Sequence, residues 1–351
     1  MAALNMNDSR RVEVAVVGST MVDLVAYGPS LPLRGETVFG SSFAKNFGGK
    51  GSNQAVQCAR LGACVTHIGQ VGDDSLGQEY MDQLVAEGID TRFMRRSIGK
   101  STGIAVINVE TTTGANTIVI IPGANDDLVL TDDAIDHIQK ANVLITQNEV
   151  PRTTTLKALQ AARVVGRTIA IFNPAPVSEG LQEVIATSDI VVPNETELSA
   201  LTGLPTTNDG EIEVAAAKLL KMGCRVVIAT LGENGAYVTA TDGFSSTRSG
   251  SGESGRSEGV FLRAEKVTAV DSTGAGDSFI GTLASNLARG ATLLLAVRNA
   301  LHCATISVTR VGAQKSYATL QEIPIDYLPP PLPPAESGIL AFDKEVILRI
   351  D

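Results

Sequence analysis

The run Asp271-Ser272-Thr273-Gly274-Ala275-Gly276-Asp277-Ser278-Phe279-Ile280-Gly281 joins a turn of small residues to a carboxylate. A small-residue turn that opens a helix leaves backbone N–H groups unpaired at the positive end of the helix dipole. That arrangement is a ready anion site. Asp277 beside it would repel a phosphate if the turn did nothing but bind one. The carboxylate makes sense when it takes a proton from a hydroxyl that attacks phosphorus. Phosphoryl transfer asks for that set: a positioned nucleophile, a base, and donors for the transferring group. Asp277 therefore reads as the base, with Gly274, Ala275 and Gly276 as the anion cradle. The competing reading, that Asp277 only caps the helix, stays open at this point.

Five other segments carry chemistry-bearing residues. In Phe47-Gly48-Gly49-Lys50-Gly51-Ser52-Asn53-Gln54-Ala55, glycines let backbone approach a small polar ligand while Lys50 and Asn53 supply donors. Ser52 or Asn53 could cap the helix that follows. Gly18-Ser19-Thr20-Met21-Val22-Asp23 and Gln147-Asn148-Glu149 end strands, where open α/β sheets place ligand contacts. Asn194 and Glu197 are three apart, so one helical turn puts both oxygens on one side, as a sparse magnesium site needs. The same pair also fits a capping box. Thr230-Leu231-Gly232-Glu233-Asn234-Gly235 reads as a tight hairpin.

Two near-misses are set aside. Gly99-Lys100-Ser101-Thr102 lacks the earlier glycine of a P-loop, because position 94 is Met94. Gly274-Ala275-Gly276 is no dinucleotide fingerprint, because Phe279 stands where the third glycine belongs.

The elements that must hold these residues alternate. Strands are expected at 12–18, 65–70, 142–147, 168–172, 189–193 and 226–231, with helices at 52–61, 76–87, 153–165 and 211–222. The helix opened by Asp277 is expected to bury Ile280, Leu283, Ala284 and Leu287. Near-continuous apolar strands separated by helices predict an α/β fold with a mostly parallel sheet covered on both faces. The segments 103–110 and 116–122 read as a hairpin around Thr111-Thr112-Thr113-Gly114. With the extended, turn-rich segment 24–47 they would form a small antiparallel β lid. The Gly/Ser-rich stretch 245–259 reads as an insertion and 328–351 as a Pro-rich tail outside the core.

The chain has 351 residues, 44% hydrophobic, enough for a large core. Its net charge of −10 argues against nucleic acid or an anionic membrane as main partner. No apolar run is long enough to span a bilayer, and the first residues lack a secretory apolar core. The cysteines Cys58, Cys64, Cys224 and Cys303 show no paired spacing and read as four buried thiols in a reduced, cytoplasmic setting.

The stretch from Val270 through Phe279 resembles the C-terminal signature of ribokinase-like carbohydrate kinases, and the stretch from Phe47 through Ala55 resembles their sugar-binding signature. The resemblance covers about 12–327. It implies ATP-dependent phosphorylation of D-ribose at O5, with another sugar or nucleoside kinase, such as a deoxyribokinase or adenosine kinase, as the alternative. A non-catalytic sugar-binding protein on the same fold is a further alternative. By that resemblance Asp23, Gly49, Lys50, Gly51, Ser52, Asn53, Glu149 and Asp277 would contact the sugar. Met21 stands where bacterial relatives usually carry Asn, so it would contribute through its backbone. Asn194, Thr230, Leu231, Gly232, Glu233, Asn234, Gly235, Gly276 and Asp277 would line the nucleotide, and Asn194 and Glu197 would organise Mg2+. Asp271, Thr273, Ser307, Arg310, Gly312 and Ser316 would hold an activating K+. For the adenine the resemblance points to the neighbourhood of Leu301, with Asn299 and His302 beside it. A homodimer through the lid is also expected, because a small exposed sheet has edges to pair.

Overall fold

Strand β1 (Glu13–Val17) sets the pattern of the molecule: Val14 and Val16 enter one hydrophobic layer, Ala15 and Val17 the other. A strand buried on both faces belongs inside a sheet covered on both sides. The computed structural model describes residues 12–241 and 259–327. The remaining strands are β2 (Met21–Gly28), β3 (Ser42–Gly48), β4 (Cys64–Ile68), β5 (Gln70–Gly72), β6 (Arg95–Ser97), β7 (Gly103–Glu110), β8 (Asn116–Ile121), β9 (Val143–Thr146), β10 (Ile169–Phe172), β11 (Ile190–Val191), β12 (Val226–Thr230), β13 (Ala236–Ala240) and β14 (Val260–Leu262). The helices are α1 (Lys50–Arg60), α2 (Ser75–Ala86), α3 (Asp132–Lys140), α4 (Arg152–Val165), α5 (Gln182–Thr187), α6 (Glu195–Thr202), α7 (Asp209–Leu220), α8 (Ala275–Ala288) and α9 (Leu293–Val308).

The main sheet runs β14-β13-β12-β11-β10-β9-β1-β4, parallel from β4 to β12 and antiparallel across its last two pairs. Residues of α1, α2, α8 and α9 share one core layer with it, and residues of α3, α4, α5 and α7 the other. The α/β reading and all six strands read from sequence hold.

The small sheet, ordered β3-β2-β7-β8, contains the expected hairpin β7–β8 and the extended segment. Its two outer pairs are antiparallel, but the central pair β2–β7 is parallel, because β5, α2 and β6 intervene between those strands in sequence. Every residue of β8 is exposed.

Three expectations change. Helix α8 is buried on all sides from Asp277 to Ala288, not along one stripe, because α1 and α9 both pack against it. Cys64 is exposed, since it opens β4 at the sheet's end; Cys58, Cys224 and Cys303 are buried, and all four are free. Neither Ser52 nor Asn53 caps α1; both lie inside its first turn, and Gly49 holds the cap position. The Gly/Ser-rich stretch, apart from Gly259, and the Pro-rich tail lie outside the described residues.

Candidate active site

Helix α8 begins after Gly274, whose φ of +76° is the left-handed conformation glycine adopts freely. A Cβ there would also fall 2.6 Å from the Tyr317 hydroxyl. Past that bend, Ala275 N–H turns back to Ser272 O at 3.2 Å. The N–H groups of Gly274, Gly276 and Asp277 meet no acceptor among the described residues, so Ala275 drops out of the expected set of free donors and the Asp277 N–H joins it.

Asp277 is 7% exposed and does not cap its helix. Its two oxygens are taken by other partners: Asn53 Nδ2 donates to Oδ2 at 2.9 Å and Gln54 Nε2 to Oδ1 at 2.8 Å. Gln54 is itself held by Gln147 Nε2, which donates to its Oε1 at 2.7 Å. A buried carboxylate steadied from both sides has a fixed direction, and its remaining lone pairs are free to accept a proton.

The first turn of α1 supplies both amides. Gly49, at φ +84°, is forced: a Cβ there would lie 2.7 Å from Met21 N. With no side-chain cap of its own, α1 borrows one from Glu149, which accepts the Lys50 N–H at 3.0 Å and the Ser19 hydroxyl at 2.5 Å. Burial pushes the Glu149 carboxyl upward, against the pull of Lys50 and Ser19. Burial lowers the Lys50 ammonium, but Asp277, Glu149 and Glu197 outweigh it and hold it above the usual lysine range. Burial first, then the charges of Glu149 and Asp277, raise Asp23 to about 6.

Lys50, Asn173, Asn194, Glu197, Thr230, Gly274, Gly276 and Asp277 line one cleft of about 190 Å3. A larger hollow of about 590 Å3 lies elsewhere, by α5 and α6, with Glu179 its one charged lining residue; chemistry, not size, picks the smaller cleft. Asn194 and Glu197 form a full capping box on α6, each backbone N–H donating to the other's side chain at 2.8 Å. The capping reading holds; Asn194 Oδ1 also accepts the Thr196 hydroxyl at 2.8 Å, so both its lone pairs are used, whereas the second Glu197 oxygen takes no bond among the described residues. Burial raises the Glu197 carboxyl, partly offset by the Asn194 N–H and Lys50.

Other expected residues are placed differently. Ser52 turns inward: its hydroxyl donates to Ser19 O at 3.1 Å and meets Thr20 and His67, so its expected side-chain role at the sugar is corrected to a core one. Met21 opens β2 with its side chain buried. Gly51 is buried within the first turn of α1. Of the hairpin 230–235, Thr230 lines the cleft; Leu231 is buried and bonds Gly235, while Gly232, Glu233 and Asn234 form a 3-10 turn. Asn299 is buried and donates to Asn286 Oδ1 at 2.7 Å, and His302 stacks on Tyr327.

Asp271 ties two loops together, accepting the Thr273 N–H at 2.9 Å and the Gly312 N–H at 2.8 Å. Those bonds outweigh burial and hold its carboxyl below the usual range. Arg310 reaches Ser316 O at 3.5 Å, and the Ser307 hydroxyl donates to Ala304 O. This second group sits where the loop before α8 meets the loop after α9, and the backbone carbonyl oxygens there are the donor type a hard cation takes.

Gln54, Gln147, Asn173 and Gln314 were not singled out as site residues from sequence. Buried amides are common, and only the fold brings Gln54 to Asp277 and the other three to Gln54 or Asn53; Gln54 alone had a local signal, its place in the glycine-lysine stretch.

A family model described as pfkB family carbohydrate kinase matches residues 12–320. The chain belongs to that family. Among pfkB-family relatives, the mouse (Mus musculus) ribokinase is 39% identical over 319 residues, 89% of this chain and 94% of that protein. The deoxyribokinase of Salmonella typhimurium is 35% identical over 314 residues, 89% of this chain and 97% of that protein. The structure of Arabidopsis thaliana ribokinase complexed with ribose and ATP superposes with a TM-score of 0.78 at 28% identity, covering 88% of this chain and 96% of that one.

Proposed function

We propose that this pfkB-family chain transfers the γ-phosphoryl group of ATP to the 5-hydroxyl of D-ribose. The observation that carries the reading is Asp277: buried, held by Asn53 and Gln54 rather than capping α8, and set beside the open N–H groups of Gly274 and Gly276. Asp277 takes the proton of the attacking hydroxyl as the new O–P bond forms and the bond to ADP breaks. A free Asp, with a pKa of about 3.9, is a weak base for an alcohol. It suffices when proton loss is late in a loose transition state and positioning does most of the lowering. The N–H groups of Gly274, Gly276 and Asp277 face the charge that develops on phosphorus, where one such donor contributes on the order of 10²–10³ in rate.

Asp23, Glu149, Asn53 and the Gly49–Lys50–Gly51 backbone are assigned to the sugar, Asn194 and Thr230 through Gly235 to the nucleotide. Glu197, with Asn194 beside it, is assigned to Mg2+, which would neutralise charge on the phosphates; Asn194 would join it only by giving up the Thr196 hydroxyl. Asp271, with the carbonyls of Thr273, Ser307, Arg310, Gly312 and Ser316, is assigned to K+. The working unit is 12–327, with 24–47 and 103–123 as a lid that pairs two copies into a homodimer. Among the described residues no helix is long and apolar enough to cross a membrane, and we assign the activity to the cytoplasm.

Met21 favours a second reading, deoxyribokinase. An apolar side chain where relatives offer an amide removes one donor and acceptor that could reward an additional sugar hydroxyl. ADP release measured with ATP across D-ribose, 2-deoxy-D-ribose, other pentoses and adenosine tests both. The highest kcat/KM with D-ribose is expected; preference for 2-deoxyribose establishes the second reading, and no sugar-dependent ADP overturns kinase function.

A further inference from the structure

We propose that Gln314 is a positioning residue for the transfer reaction, acting on Asp277 through Asn53. The inference rests on the assignment of Asp277 as base. Gln314 is buried in the 3-10 turn Gln314–Ser316, after α9 and 261 residues from Asn53 in sequence. Its Nε2 lies 3.0 Å from Asn53 Oδ1 and 2.9 Å from the Tyr80 hydroxyl oxygen. Asn53 in turn donates to Asp277 Oδ2, and the Tyr80 hydroxyl donates to the carbonyl of Gly48.

The direction of this chain is set by chemistry. An amide NH2 offers two protons and accepts none, while an ionised carboxylate only accepts. Asn53 must therefore show its NH2 to Asp277 and its oxygen to Gln314. Gln314 must answer with its own NH2, leaving Oε1 buried without a partner among the described residues. Turning the Gln314 amide over would pair that oxygen with the Tyr80 hydroxyl. It would also set two oxygens face to face at Asn53, or, if Asn53 turned as well, an oxygen against Asp277. It would deprive the Gly48 carbonyl too. One orphaned oxygen is the cost of a chain that points one way, and buried networks of this kind are strongly non-additive.

Gln314 thus orients two parts of the site at once. Through Asn53 it steadies the carboxylate; through Tyr80 it holds the carbonyl that precedes the positive-φ Gly49 at the start of α1. Without it, the Asn53 amide can turn over with no change in volume and withdraw one of the two bonds on Asp277. Gln54 keeps the other, so the carboxylate stays buried but loses its fixed direction.

A double-mutant cycle tests this, read as kcat and KM on whichever acceptor supports ADP release by the wild-type chain. Gln314→Met keeps the volume and removes both donors. It is expected to lower kcat by about 10-fold or more while the sugar KM changes less than about 3-fold. In an Asn53→Ala background the same substitution should lower kcat by less than about 2-fold, because its route to Asp277 is already gone and the Tyr80 route reaches only the backbone assigned to the sugar. Gln314→Glu, of the same shape, replaces one donor group by an acceptor and should lower kcat at least as far; it decides the matter if the Met variant fails to fold. A kcat within about 3-fold of wild type for both variants overturns the proposal, as do losses that multiply in the double variant. A wild-type chain that favours a sugar other than ribose changes the proposed substrate and leaves this cycle intact.

Discussion

Glu149 and Lys50, 99 residues apart in sequence, are joined at the floor of the site: the carboxylate accepts the Lys50 backbone N–H at 3.0 Å through the oxygen that also takes the Ser19 hydroxyl. One group therefore does two jobs. It caps a helix that starts on a bare glycine, and its charge helps keep the Lys50 ammonium protonated beside Asp277.

Glu149→Ala should then affect folding and binding together. Leaving the Lys50 N–H and the Ser19 hydroxyl without their acceptor costs about 1–3 kcal/mol, read as a lower urea midpoint at unchanged slope. Ribose affinity, measured by calorimetry, should fall by about 10-fold or more. A destabilised variant with full affinity would confine Glu149 to capping.

Asp277→Asn separates chemistry from binding. The amide keeps the shape but cannot take the hydroxyl proton, so kcat should drop by about 10²–10⁴ with sugar affinity changed little. Near-normal turnover would remove Asp277 from the mechanism.

Asp23 predicts a pH signature with a definite sign. Its carboxyl titrates near 6 in the fold against an ordinary value of 3.8. Between those values the folded chain holds a proton that the unfolded chain has released, so its contribution to stability falls as pH rises through 6. Asp23→Asn removes that penalty: its Tm should exceed the wild type's above pH 7 and converge with it near pH 4. The gain is at most roughly 3 kcal/mol. In the wild type, ribose should bind more weakly below pH 6, where Asp23 is neutral. A pH-independent Tm difference would show that Asp23 carries no such burden.

Much of this arrangement was legible in the residues because the motifs are local. The bend before Asp277, the Gly-Lys-Gly stretch and the Asn194–Glu197 pair each declare a backbone shape within a few positions. The apolar strands give away the sheet for the same reason, as Val14 to Val17 must be buried on both faces. What stayed hidden is non-local. Nothing near Gln147, Asn173 or Gln314 shows that the fold will bring their amides to Gln54 and Asn53, the two that hold Asp277. Nor does any local pattern show that Glu149 will cap a helix 99 residues away, sparing Ser52 and Asn53 for the core and for Asp277. The parallel pairing of β2 with β7 was missed likewise, because the direction in which two distant strands pair depends on the path the chain takes between them.

Asp271 tests the proposed K+ site. Its two bonds brace the loop before α8 against the loop after α9, so Asp271→Asn should lower Tm modestly even without added salt. It should also abolish any gain in turnover that K+ gives over Na+ at matched ionic strength. Equal K+ activation in wild type and variant would place the cation elsewhere.

The outer strand of the small sheet bears on assembly. Ile118, Val119 and Ile120 of β8 are 53%, 61% and 52% exposed, so apolar side chains on both faces of this edge strand meet solvent. Neighbouring strand edges with that composition pair readily, and a second copy of the same sheet offers a matching partner. Sedimentation at micromolar concentration is expected to give twice the chain mass. Val119→Lys, which puts a charge on the outer strand without touching the main sheet, should shift the protein to monomer. It should also raise ribose KM if the lids brace one another over the sugar. A wild-type protein that sediments as a monomer would leave the lid to close on its own.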